Sequence, residues 1–182
     1  MTFEEAEDIL KDMTKGESLL RHAQSVSIVM RAYAKKLGEP EEQWAIAGLL
    51  HDADYEAWPD EHPNKIVKLL YDKGEDEIAH AIAAHYTKWG VSYDTTLDKA
   101  LIACDEITGF IIACCQVRPD GIDSLTPKSV KKKLKSKSFA ASVERDEVDA
   151  GISLFEVDQT EHIQFIIDAL KAHKDELKLS NN

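Results

Sequence analysis

Apolar residues along this chain recur every three or four positions in segment after segment, and no convincing stretch alternates with the period of two that a half-buried strand shows. The first stripe, Phe3, Ala6, Ile9, Leu10 and Met13, follows Thr2 and Glu5, which are spaced as a capping box. Thr14 and Glu17 repeat that spacing ahead of Leu19, His22, Ala23, Val26, Val29, Met30, Tyr33 and Leu37, and Gly38 supplies the stop. The next segment, opened by Pro40, differs in kind. Trp44 to Leu50 is apolar on every side, as in a helix at the centre of a bundle, and it ends in His51 and Asp52.

Beyond a polar, aromatic loop at 54–61, Pro63 starts a helix that runs to Lys73-Gly74 and leaves His62 at its boundary. A helix at about 75–86 places Ile78, Ile82 and His85 on one stripe and His80 on the opposite side. Asp94, Thr95 and Asp98 cap a long helix whose stripe is Leu97, Leu101, Cys104, Asp105, Thr108, Ile111, Ile112 and Cys115. Thr126-Pro127 then opens a lysine-rich helix, shorter helical stretches follow to about 154, and Asp158 with Glu161 caps a last amphipathic helix through Ile163, Ile166, Ile167 and Leu170. The predicted class is all-α.

Composition narrows the setting. A chain of 182 residues is long enough for one large domain with a substantial core. Cys104, Cys114 and Cys115 share one apolar segment without metal-type spacing and read as buried thiols in a reduced compartment. The opening residues lack a secretory pattern, and the longest apolar stretch, 107–117, falls well short of the roughly 20 residues that span a bilayer. The expectation is a soluble, cytoplasmic protein. A net charge of -12 argues against general nucleic-acid binding and against an anionic membrane surface. An anionic substrate would need a local positive centre.

Two carboxylates point to such a centre. Asp52 ends the most buried helix and Asp105 sits within an apolar stripe, and desolvating either costs several kcal/mol unless a cation or hydrogen-bond donors compensate. His22, His51 and His85 fall at inward positions, and imidazoles and carboxylates converging from several helices are a usual way to bind transition metals in a bundle. Taken singly, each histidine is more often a core residue bonded to a carbonyl. Asp54 is a candidate for proton transfer, and Arg21 and Lys88 for phosphate contact, against the plainer reading of all three as solvated side chains. The lysines from Lys128 to Lys137 form a solvated face or a local patch that draws anions.

The order His22, His51-Asp52, Asp105 resembles the HD-domain superfamily of metal-dependent phosphohydrolases, over about residues 17–115. The resemblance implies an HD-type helical bundle with additional C-terminal helices: one domain over 1–182, its metal-site core at about 17–115 and an extension at about 122–178. It also implies that these four residues hold one divalent metal. His62-Pro63 and Ala83-Ala84-His85 are similar to the further ligands of dinuclear members, in which the doublet Asp bridges two ions and a metal-activated hydroxide attacks phosphorus. The cofactor expectation is therefore a divalent transition metal (Fe, Mn, Co, Ni or Zn) as two ions, with a single-ion site as the alternative. The implied substrate is a small phosphorylated molecule, a nucleotide foremost. Two other readings stay open: a dinuclear iron oxygenase on the same fold, and a module that senses a phosphorylated ligand without turnover. The chain lacks the His-His pair and Gly-Tyr-Pro element of cyclic dinucleotide phosphodiesterases, and no Glu stands three residues after Asp52 as in deoxynucleotidase-like members.

Overall fold

A computed structural model describes residues 1–180. Among these residues there are nine α-helices, one short 3-10 turn and no strand. The chain divides into two compact units, Met1–Ile102 and Ala103–Asn182, of which the last two residues lie outside the described ones. None of the described helices is long and apolar enough to cross a membrane.

The first unit is built on α3 (Glu41–Leu50), whose residues Trp44 to Leu50 are all buried. Around it pack α1 (Phe3–Met13), α2 (Glu17–Leu37) and α5 (Asp76–His85), while α4 (Asn64–Asp72) packs on α5. Closest approach is at Gly48, where a Cβ would lie 2.9 Å from the backbone of Val26 and Ser27 on α2. Burying an all-apolar helix on several sides stabilises the unit by area alone, at roughly 25 cal/mol per Å². It also fixes where the polar residues after Leu50 emerge.

Local chemistry sets most helix ends as the pattern predicts. The capping box of Thr2 and Glu5 forms at α1, and Gly38 closes α2 in a left-handed conformation at φ 76°. The second predicted capping box does not form: α2 is capped by Gly16 without a side-chain bond. The Thr14 hydroxyl instead donates to the Ala53 carbonyl at 2.8 Å, a buried bond across 39 residues. From the opposite side, Glu56 accepts the backbone N–H groups of Lys15 and Gly16. The junction of α1 and α2 thereby pins the segment that follows α3.

The long helix α6 (Thr96–Gln116) begins in the first unit and continues into the second. Its start is reciprocal, with Asp98 accepting the Thr95 N–H at 2.8 Å while the Thr95 hydroxyl accepts that of Asp98 at 3.2 Å. The second unit adds α7 (Pro127–Leu134), α8 (Arg145–Leu154) and α9 (Gln159–Lys171), with α7 packed on α9. Thr126 and Asp158 cap α7 and α9. Arg145 lies 4.8 Å from the Phe110 ring centroid and donates to the carbonyls of Phe139, Ala140 and Val143. Lys131 donates to Thr160 at 2.9 Å, whereas Lys132, Lys133, Lys135 and Lys137 are exposed.

Candidate metal centre

Asp52 emerges just past the end of α3, and its side chain keeps 27 % of its surface exposed at the floor of a histidine cluster. On one side, Oδ2 lies 3.4 Å from His51 Nε2 and 3.9 Å from His22 Nε2, and these two nitrogens are 3.2 Å apart. On the other, Oδ1 lies 3.3 Å from His62 Nε2 and 3.7 Å from His85 Nε2. One carboxylate thus serves two pairs of imidazoles, one pair per oxygen.

The far ring nitrogens explain how this is held. His51 Nδ1–H donates to the Gly48 carbonyl at 2.8 Å, and His85 Nδ1–H donates to the Ile82 carbonyl one turn back on α5. His62 Nδ1–H donates to Asp54 Oδ1 at 2.7 Å. A neutral ring protonated at Nδ1 presents a lone pair at Nε2, so three lone pairs and a carboxylate point into one space. Such donors call for a cation. Ligand atoms about 2.1 Å from one ion stand roughly 3.0–3.5 Å apart at right-angled or tetrahedral positions, and most of the separations here are of that order. Asp52, His62 and His85 also offer ligand atoms all within 4.8 Å of one another. The donor set fits divalent transition metals, which take imidazole and carboxylate together.

Electrostatics agree with this geometry. Burial by itself raises the Asp52 carboxyl, but with protons on the facing Nε2 atoms of His51 and His85 their charge and hydrogen bonds outweigh it and hold the group well below the ordinary carboxylate range, a role that a bound cation would take over from those protons.

Of the residues singled out from sequence, His22, His51, Asp52, His62 and His85 come together in the first unit. Asp105 lies half-buried on the part of α6 that belongs to the second unit. The expectation for Asp54 needs correction. It is fully buried rather than solvated, and its oxygens are taken by His62 and by the backbone N–H groups of Lys65 at 2.9 Å and Ile66 at 3.1 Å. A carboxylate so engaged orients His62. Arg21 is half-buried beside His22, and Lys88 is exposed with its ammonium 5.3 Å from the Tyr86 ring centroid. His80 stays out of the cluster and faces Asp94 and Asp98. His162 realises the plain alternative for a core histidine, bonding the Ala103 carbonyl at 2.8 Å.

Sequence reasoning missed the rings around His62. Tyr55 and Tyr86 stand perpendicular to it with centroids 5.5 and 5.3 Å away, and Trp89 stands against Tyr86 at 5.9 Å. Their signal, aromatics within a few residues after each ligand, is legible only once the ligands are known.

An all-helical unit that gathers four histidines about one carboxylate defines a class of metal-site proteins in which the bundle itself supplies the ligands. Comparison with protein families gives the particular one: the HD domain matches residues 19–109, half of the chain, which takes in His22, the His51-Asp52 doublet, His62 and His85. The chain belongs to the HD-domain superfamily of metal-dependent phosphohydrolases. No curated protein and no solved structure matches it.

Proposed function

We propose that the protein hydrolyses a small phosphorylated molecule, a nucleotide foremost, using two divalent transition-metal ions. The observation that supports this most directly is the division of Asp52, with Oδ2 toward His22 and His51 and Oδ1 toward His62 and His85. One ion would be held by His22, His51 and Asp52, with Asp105 as the further ligand that the family pattern suggests. The other would be held by Asp52, His62 and His85. Bound divalent ions supply Lewis acidity and hydroxide at neutral pH, and they offset charge developing on a phosphoryl group.

The chain's own residues do the rest. The Gly48 and Ile82 carbonyls and the Asp54 carboxylate hold three imidazoles in the Nδ1–H tautomer, with Nε2 left to face a ligand-binding space. Asp52, set between the two pairs, would contribute negative charge toward both ions. Asp54 acts as a positioning residue. Lys88, exposed one turn beyond His85, is available to a substrate phosphate.

Phosphate release from a panel of nucleoside mono-, di- and triphosphates by manganese-reconstituted protein tests this reading. Turnover that disappears in Asp52→Ala supports it. Metal-loaded protein that binds nucleotides without releasing phosphate would favour a sensing module, and a mixed-valence iron signal with no phosphate release would favour redox chemistry.

A further inference from the structure

The aromatic residues beside the cluster suggest what part of a substrate the site reads beyond its phosphate. Six large hydrophobic side chains are notably exposed among the described residues, and three of them, Tyr55, Trp58 and Trp89, lie on the two segments that directly follow metal-site residues. Singly exposed apolar residues are ordinary and need no explanation. Three lie on the two segments leaving His51-Asp52 and His85, whereas Leu37, Tyr71 and Val117 lie elsewhere in the chain.

The rings form a graded wall. It starts at buried His62, passes to half-buried Tyr86 at 5.3 Å and ends at Trp89, which is 37 % exposed and stands perpendicular to Tyr86 at 5.9 Å. Tyr55, 48 % exposed, flanks His62 separately at 5.5 Å. Trp89 is held in place by a 3-10 turn, Thr87–Trp89, that Gly90 closes at φ 63°, a left-handed conformation that a side chain would strain. The Lys88 ammonium sits 5.3 Å from the Tyr86 centroid, between the outermost ring and the cluster along the chain. A cation over the Tyr86 ring, with exposed aromatic rings on the segments that leave a site suited to phosphate, matches a ligand that is anionic at one end and flat and aromatic at the other.

We infer that Tyr55 and Trp89 form a stacking surface for the base of a nucleoside phosphate, with Lys88 meeting its phosphate. The inference rests on the phosphohydrolase reading and narrows its substrate class. Stacking suits this role because every base has a π face, and removing one aromatic partner costs roughly 1–3 kcal/mol per base, about five- to 150-fold in affinity. A sugar phosphate has the anion but not the plane. It should gain nothing from these rings.

Binding of adenosine, guanosine and cytidine monophosphates is to be compared with that of ribose 5-phosphate on manganese-loaded protein, by calorimetry. Wild type is expected to prefer the nucleotides by at least about tenfold, and Trp89→Ala and Tyr55→Ala to shrink that ratio toward one. Lys88→Ala should instead weaken nucleotide and sugar phosphate alike. Wild type with no preference for the nucleotides, including failure to bind any of them, overturns the inference, and so does an undiminished ratio in both aromatic variants. Ribose 5-phosphate hydrolysis measured on the same samples separates the failures: turnover without nucleotide preference removes the stacking surface and leaves the metal reading, whereas absence of bound metal removes both.

Discussion

Asp54 carries the sharpest consequence at the scale of single residues. Its carboxylate accepts the His62 Nδ1–H at 2.7 Å, and outer partners of this kind typically account for ten- to a hundredfold in metal affinity. Asp54→Ala should weaken one ion by about that factor while the His22–His51 side keeps its own, which metal titration of the apoprotein would resolve as one site lost from two. Uniform weakening of both would contradict the assignment. The cysteines make an opposite case. Burial pushes the Cys114 thiol up to about 11, and burial with the neighbouring Cys114 pushes Cys115 up to about 12. Because the thiolate is the reactive form, iodoacetamide at pH 8 should label native protein more than about a hundredfold more slowly than unfolded protein, as mass spectrometry would show. Sequence reading reached the buried thiols, and it reached His85 through its stripe with Ile78 and Ile82. It misjudged Asp54, because the groups that bury it, His62 and the amides of Lys65 and Ile66, lie 8 to 12 residues on and come back only through a turn that periodicity does not reveal.

Elements were legible wherever an end is closed by its own neighbours. Thr2 with Glu5, Thr126 at α7 and Asp158 at α9 all cap as their spacing predicts, because donor and acceptor lie within one turn. Thr14 fails for the same reason in reverse: a distant acceptor, the Ala53 carbonyl, takes its hydroxyl, and α2 starts from Gly16. Thr14→Val should therefore cost about 1 kcal/mol of unfolding free energy, the order of one hydrogen bond, through the segment after α3 rather than through the start of α2. A denaturation midpoint equal to wild type would argue against that. The α2–α3 contact gives a larger effect. Gly48→Ala places a methyl 2.9 Å from the Val26 and Ser27 backbone, which cannot yield as a flexible side chain would, and should destabilise by about 1–3 kcal/mol. Because His51 is bonded to the Gly48 carbonyl, the same change should also reduce metal occupancy.

For the molecule as a whole, ion binding and stability are linked. Metal that binds only the folded chain adds about 2.7 kcal/mol at a hundredfold excess over its dissociation constant, so chelation should lower the unfolding temperature and manganese or cobalt should restore it. An acidic chain of net charge -12 still concentrates four imidazoles around one carboxylate, which is where positive charge has to enter. The helical class, the central α3 and the doublet were all visible in the hydrophobic pattern. How Asp52 shares its two oxygens was not, since that depends on four helices or turns converging. Metal per chain, measured by mass spectrometry on reconstituted wild type, His85→Ala and His80→Ala, tests the central claim most directly. The account requires about two ions in wild type, about one in His85→Ala and about two in His80→Ala; no bound metal in wild type, or an unchanged count in His85→Ala, would contradict it.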